Sequence, residues 1–351
     1  MSYLSDTFIQ CPTIQRMIDD MFLTCPNPPE FLPSLEAIIA GQKAAGIAQT
    51  VADGSGKVRN VQVVYTPRLK ESDVTSGSGA RTCTAVAERK NNYADYTIDP
   101  NVWNRADDSF TTAELATVCT EDVQSLIAKK ISLIIDVLER DIATQTAAEL
   151  VALAGEWGTT ADGAFTVNGS NELVVAQYVS AATKAIDYSS MSTIDLALQM
   201  AGYCAPPIIV GGTAMYQYGQ FVNHGCCATS GVNILDMAND YGKVIMYDKR
   251  VATALGSQLK SIAFQPGSVA LITYNEAPQV PNLGANYAKF RVNSPRTGIP
   301  IDITMSDNCG VISIIGFANT KLVGLPTDAY AIGDELNGTV MINKILVTNP
   351  A

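Results

Sequence analysis

The chain holds one histidine, His224, in the segment VNHGCC beside Cys226 and Cys227, with Cys204 upstream. Imidazole and thiolates are ligands that zinc takes, and a cysteine beside a histidine is the pair a thiol nucleophile needs. The spacing suits neither. Adjacent cysteines point in different directions, and no Cys-x-x-Cys knuckle is present. The segment therefore reads as a turn that feeds a core. GGTAM, after the apolar run IIV, resembles the strand-to-glycine start of a phosphate loop, but it lacks both GxGxxG and GxxxxGK[ST]. DGSGK at Asp53 to Lys57 is too short for such a loop, lacks a preceding strand and reads as a turn.

Carboxylate pairs are the other candidates. Asp107 with Asp108, and Glu121 with Asp122, are expected at or near a helix start, where negative charge meets exposed N–H groups. Glu139 and Asp141 flank Arg140 and are expected on the polar side of a long helix. No GxSxG, HExxH or EF-hand pattern occurs. The sequence thus gives no catalytic, cofactor-binding or metal-binding residue and implies no cofactor, which points away from an enzyme.

The elements that would position any chemistry are more legible. The 351 residues are 47% hydrophobic and 16% charged, against roughly 25% charged in typical soluble domains. Low charge reduces repulsion between copies and favours association. The net charge is -11, which disfavours sequence-wide gripping of nucleic-acid phosphates. The N-terminus is not a secretory signal, and no window approaches 18 uninterrupted apolar residues. A soluble cytoplasmic product is expected. The eight cysteines, including Cys309, are scattered over a chain long enough to build its own core. A disulfide framework is not indicated, and most read as small buried hydrophobes.

Residues 1–50 read as an arm with short helices. Ile14, Met17, Ile18, Met21 and Phe22 recur at helical spacing, prolines then break the chain, and SLEAIIAGQKAAG starts a second helix with Ser34 as N-cap. Neither helix has the apolar area to stand alone, so the arm must dock, with a neighbouring copy as one candidate surface. NVQVVYTPRLKE is a strand with Val61, Val63 and Tyr65 on one face, and RTCTAVAERKNNYADYTID is the return. Between Lys57 and Arg105 lie eight of the 23 basic residues against five acidic ones. This is either a long two-stranded ribbon with its tip at Thr75 to Gly79, or two ordinary sheet strands joined by a loop. An isolated ribbon is marginal in water, so it should lie on another surface.

A helix follows from Thr112 to Leu150, 39 residues and roughly 60 Å, with Leu115, Cys119, Val123, Ile127, Ile131, Ile134, Leu138 and Ile142 on one stripe. Beyond it, Asn171 to Asp187 is a helix or an extended connection. STIDLALQMAGY is a short helix with Ser192 and Asp195 in capping-box spacing, APPIIVGG a buried strand, and TAMYQYGQFVNHG a short amphipathic helix. GKVIMYD, GSVALITYN, YAKFRVNS, IPIDITMS, CGVISIIGFAN and VMINKILVTN read as strands. Ile301, Ile303 and Met305 alternate with polar residues, as in a half-buried sheet.

This α+β order of arm, ribbon, spine helix and mixed body resembles the major capsid proteins of tailed bacteriophages, the Hong Kong 97-type fold. PGSVALITYN and APPIIVGG add to the likeness. The resemblance covers nearly the whole chain and is carried by layout more than by motif. It implies an N-terminal arm at 1–50, an extended hairpin loop at 51–105, and a peripheral domain with the spine at 106–170. An axial domain would follow at 171–265, with peripheral return strands at 266–351. It further implies hexamers and pentamers in an icosahedral shell around double-stranded DNA, assembled in the host cytoplasm with no membrane. A separate scaffolding protein, a portal and decoration proteins would be partners. Many relatives carry a charged scaffolding segment ahead of the arm; none precedes Met1, so the expectation is a separate scaffold. Some relatives form Lys–Asn crosslinks. Lys57, Lys70 and Lys90 lie on the ribbon, but no asparagine partner stands out, so no crosslink is expected. The alternatives are a related tail or nanocompartment subunit, and a soluble enzyme using the central region.

Overall fold

The computed structural model describes residues 15–20, 30–52, 59–65, 92–111, 123–155, 166–170, 172–176, 178–180, 185–186, 193–194, 196–197, 207–217, 244–277, 282–284, 286–325 and 342–348. The architecture is α+β. Its organising element is a 31-residue helix, here α2 (Val123–Leu153), the second after α1 (Pro33–Ala44). Ile127, Ile131, Ile134, Ile135, Leu138 and Ile142 are all buried along one stripe of α2. Burying six such side chains contributes on the order of 10 kcal/mol, which holds a long helix that propensity alone would leave fraying. The expected helix and the observed one share this stripe. Residues 112–122 lie outside the described residues, and the C-terminal end runs three residues further than expected.

Two sheets share the core around α2, the first lying directly on it and the second reaching it across the shorter helices. The first has six strands: β4 (Asn104–Thr111), β11 (Val269–Tyr274), β12 (Asn282–Gly284), β13 (Tyr287–Asn293), β14 (Pro300–Asn308) and β15 (Val311–Gly324). β15 is 14 residues long and changes partners along its length: Val311 to Ala318 pair antiparallel with β4, and Asn319 to Gly324 pair with β11. Where β4 ends, side chains of α2 take over: Glu149 accepts from the Leu322 N–H at 2.7 Å, and Gln145 donates to the Thr320 carbonyl at 3.1 Å. Alternation places Phe290, Val292, Ile301, Ile303, Met305, Ile312 and Ile314 toward α2. A Cβ on Gly316 would come within 2.5 Å of Ile134, so the close approach of helix and sheet requires glycine there. β14 and β15 are joined by Cys309 and Gly310 with φ of 53° and 89°, the double positive φ of a type I′ hairpin turn.

The second sheet has five strands in the order β5 (Leu173–Ala176), β16 (Ile342–Thr348), β10 (Lys260–Phe264), β8 (Ile208–Gly211) and β9 (Val244–Tyr247). Over β8 and β10 both faces are apolar and covered, whereas Val244 and Tyr247 of the edge strand β9 are exposed. Val210, Ile262 and Phe264 join the core around α2, whereas Ile209, Ala263, Ile345 and Val347 pack with Leu173, Val175, Ile194, Ala197 and Met215. Residues 172–176 are extended, which settles the choice left open for that segment. β16 completes this sheet by pairing with β10, and Ile345 and Val347 alternate inward. A short helix, α3 (Lys249–Ala254), packs against α2.

The ribbon base is three-stranded: β1 (Ala48–Ala52), β2 (Arg59–Tyr65) and β3 (Asn92–Ile98), antiparallel throughout. Val61, Val63 and Ile98 are buried against Ala270, Ile272, Val323 and Leu325, and the Tyr96 hydroxyl donates to the Gly324 carbonyl at 2.6 Å. The base therefore rests on the chain's own body and is covered there. The expected need for another surface applies at most to residues 66–91, which lie outside the described residues. β4 starts at Asn104, inside the stretch assigned to the loop. The arm likewise docks in cis where it is described: Ile18, Leu32, Leu35 and Ile38 enter the main core, and Gln15 exchanges two hydrogen bonds with the Asn293 backbone.

Candidate assembly surface

The residues singled out for chemistry come to rest in packed, ion-paired or turn positions, or lie outside the described residues. His224, Cys204, Cys226, Cys227, Glu121, Asp122, Ser192, Asp195, Lys57, Lys70, Lys90 and the DGSGK turn all lie outside. Among the described residues, no group of three or more His, Cys, Asp or Glu side chains could hold a metal ion. Gly212 of GGTAM is a packing glycine: a Cβ would approach the Gln258 carbonyl to 2.1 Å, and its N–H already donates to the Lys260 carbonyl at 2.9 Å. A loop that has spent this amide on its own backbone has one fewer donor for a phosphate. Cys309 is exposed because it occupies the hairpin turn.

The carboxylates correct the sequence reading. Asp107 and Asp108 sit in β4 and not at a helix start; Asp107 pairs with Arg105 at 3.4 Å, and Asp108 pairs with Lys130 of α2 at 2.8 Å. The reason is β15, whose open edge recruits 104–111 as a strand. Asp141 stays exposed and accepts from Asn104 at 2.6 Å. Glu139 is the larger departure. It is 0% exposed, because it follows Ile135 by four residues and precedes Ile142 by three, which places it on the buried stripe.

Glu139 is satisfied by the turn between β13 and β14. It accepts from the Ser294 hydroxyl, from the Thr297 hydroxyl at 2.6 Å and from the Arg296 guanidinium at 2.6 Å. Arg296 reaches on to the arm, donating to the Glu30 carbonyl and lying 3.7 Å from Glu36. Arg250 of α3 pairs with the Glu30 carboxylate at 3.0 Å. Asp248, also buried, accepts from the Arg250 N–H at 2.8 Å and from the Ser34 N–H at 3.2 Å and hydroxyl. One carboxylate thus caps both α3 and α1. Ser34 is not the N-cap that was expected: α1 begins a residue earlier, at Pro33, and Leu32 holds the cap position without a side-chain bond. This network joins arm, spine and both sheets, and a buried charge so fully partnered fixes how they meet. The Asp before KRVATA was a legible cap signal; the Glu139–Arg296 pairing, 157 residues apart, was not.

A second, partly solvated ion pair joins Lys260 of the five-stranded sheet to Glu172 on its flank. Burial pushes the Glu172 carboxyl up. Hydrogen bonds from Lys260 and Asn168 and the charges of Lys260 and Lys344 outweigh that, so its pKa falls below the ordinary 4.5.

The face of the six-stranded sheet turned away from α2 is different. It presents a row of Lys289, Thr304 and Ile315 and a row of Arg291, Asp302 and Phe317 in register across β13, β14 and β15. Trp103, 47% exposed, stands edge-on to Phe317 with centroids 5.2 Å apart. Between them and Tyr274 opens a cleft of about 190 Å³, rimmed by Glu276 and Lys289. Val102 beside it is exposed, as are Leu133 and Val137 on the outer side of α2. No described helix is long and apolar enough to cross a membrane.

No protein-family model and no curated protein matches the sequence. Among solved structures the chain is similar to the capsid of Myoviridae phage XM1, at 12% identity over 87% of this chain and 91% of that one, with a TM-score of 0.40. The mature capsid of bacteriophage PhiM1 matches at 11% identity over 84% and 83%, with a TM-score of 0.40. The capsid of Ralstonia phage GP4 matches at 9% identity over 85% and 86%, with a TM-score of 0.38. All three are phage capsid structures, and this chain is similar to them along most of its length.

Proposed function

We propose that this chain is a non-catalytic shell subunit, the major capsid protein of a tailed bacteriophage, which self-assembles into hexamers and pentamers of an icosahedral shell around double-stranded DNA. The observation that carries the reading is the layout. A long spine helix lies on the six-stranded sheet, the five-stranded sheet shares its core, and the ribbon base packs on the chain's own body, with the 26 residues 66–91 standing between β2 and β3 in the sequence. A chain that fastens its arm, spine and sheets through the Glu139 and Asp248 network has a body that can be repeated as a rigid unit. Its low charged fraction and exposed Val102, Trp103, Leu133 and Val137 suit many modest contacts between copies. The net charge of -11 suits a wall against which a genome packs without sticking.

On this reading residues 1–50 are the arm, 51–105 the loop, 106–170 and 266–351 the peripheral part and 171–265 the axial part, with β16 crossing into the axial sheet. Scaffolding, portal and decoration proteins would be its partners, and assembly would take place in the host cytoplasm. The test is to express the full chain, with a scaffolding protein supplied, and to follow assembly by sedimentation and negative-stain electron microscopy. Closed shells or capsomers are expected. Deleting Asp73 to Cys83 should leave the body folded and weaken association. A chain that stays monomeric at high concentration, or whose assembly ignores the deletion, overturns the reading or the loop's part in it, respectively.

A further inference from the structure

The aromatic cleft on the open face of the six-stranded sheet holds two things that the fold does not use. One is an uncovered ring face. Trp103 is 47% exposed and meets Phe317 at 87°. Whichever ring supplies the edge in such a pair, at least one face of the indole is left without Phe317 upon it. The other is a set of polar groups without hydrogen bonds. The Glu276 carboxylate and the Lys289 ammonium lie 3.8 Å apart, too far for a hydrogen bond, and neither makes one among the described residues. Thr304, the cross-strand neighbour of Lys289, has a half-buried hydroxyl that bonds nothing there either. Asn319 is 9% exposed, and its Nδ2 donates to the Asp99 carbonyl at 3.0 Å, which leaves its Oδ1 to accept. All of these groups line the same cleft. Asp302 at its floor is, by contrast, spent on the fold. It accepts from the Glu276 N–H at 2.7 Å, the Ala277 N–H at 3.1 Å and the Asn275 amide at 3.0 Å, and so fixes the turn that carries Glu276.

We infer that this cleft binds one neutral sugar ring, a pyranose. Charge excludes ions. Glu276 is balanced by Lys289 and Asp302 by Arg291, each pair 3.8 Å apart. An incoming cation meets Lys289 and an incoming anion meets Glu276, whereas a neutral ligand is opposed by neither. The polar groups then select hydroxyls. Lys289 can only donate, the Glu276 carboxylate and the Asn319 oxygen can only accept, and Thr304 does both. A ligand that answers all four needs groups that donate and accept in turn, as a hydroxyl does. The indole selects the other side of the ligand. Its face carries negative π density, which attracts the slightly positive C–H groups of a saturated ring. A pyranose presents C–H groups on one face and hydroxyls around its rim, so it meets both demands at once. Size limits the site to a single ring: about 190 Å³ is below the roughly 300–1,000 Å³ of pockets that enclose larger ligands. Every group involved belongs to one chain, so the inference does not depend on the shell reading.

Saturation-transfer difference NMR on the full, unassembled chain tests this with a panel of neutral methyl pyranosides: glucoside, galactoside, mannoside and N-acetylglucosaminide. At least one should receive saturation, strongest at the C–H protons of one ring face. Trp103→Ala should weaken its binding about tenfold. Thr304→Val and Glu276→Gln should each weaken it about threefold to tenfold, as expected for one lost hydrogen bond. These last two change groups on which the fold does not draw, so their thermal midpoints should match the wild type, and they decide the matter if Trp103→Ala fails to fold. Methylguanidinium and acetate serve as the cationic and anionic probes and should not bind. A panel that receives no saturation, binding of either ion in place of the sugars, or sugar binding that the folded variants leave intact overturns the proposal. No arm of the experiment requires assembly, so failure of the shell reading would leave its outcome standing.

Discussion

The two sheets that flank α2 share a core and differ on their far sides. The five-stranded sheet is apolar on both faces at its centre, and its own chain covers both there: Val210 and Phe264 join the core around the spine, and Ile209 and Ile345 pack with Ala197 and Met215. The six-stranded sheet buries Ile303, Met305 and Ile314 on one face, while its other face is covered by the ribbon base at Ala270, Ile272 and Val323 and beyond that shows Lys289, Thr304, Phe317 and an exposed Trp103. A sheet covered on both faces is finished by folding. One with a wet, aromatic far side is stable as it stands and still has surface to give to another molecule.

The sharpest way to break this contrast is to place a carboxylate at equivalent depths in the two sheets. Ile209→Asp puts an unpaired charge at a fully buried position, which should cost more than about 4 kcal/mol and leave little folded protein. Thr304→Asp, on the open face, should change stability by less than about 0.5 kcal/mol. Urea unfolding followed by circular dichroism measures both. Equal losses would mean that the open face is as closed as the other.

Much of this contrast was legible in the residues. The alternation of Ile301, Ile303 and Met305 announces one buried face, and the near-continuous run Ile208 to Val210 announces two. The spine followed from the spacing of Ile127, Ile131, Ile134, Leu138 and Ile142. What escaped the sequence depends on partners distant along the chain. Glu139 looks like one charge in a polar run until Ser294, Arg296 and Thr297 are brought to it. Asp107 and Asp108 look like helix-start acids until β15 offers an edge. The base of the ribbon looked too poor in contacts to be covered, because nothing local to Val61 and Val63 reveals Ala270 and Val323. Trp103 carried no motif, and its exposure is a property of the sheet it stands on.

The network beneath both sheets should be the next most costly to disturb. Glu139→Leu leaves the Ser294 and Thr297 hydroxyls and the Arg296 guanidinium without their acceptor. It should cost about 3–5 kcal/mol by urea unfolding, against less than about 1 kcal/mol for Asp141→Leu on the exposed side of the same helix. Gly316→Ala tests the seam between spine and sheet. The added methyl meets Ile134 and Leu138 and should cost about 1–3 kcal/mol through overpacking, read as a lower thermal midpoint.

The smallest effect concerns the edge of the finished sheet and depends on pH. The Glu172 carboxyl is lowered in the folded state, since Lys260 and Asn168 favour its charged form more than burial opposes it. A depressed carboxyl contributes stability that is fully present above its unfolded pKa, near 4.5, and is lost as pH falls through the lower folded value. Glu172→Gln removes that contribution at neutral pH, about 1 kcal/mol for a partly solvated pair, and cannot lose it again in acid. The difference in stability between wild type and Glu172→Gln should therefore be largest at pH 7 and shrink below pH 4.5. A gap that widens on acidification would mean that Lys260 does not hold this carboxylate in its charged form, and that the β5 flank is fastened by packing alone.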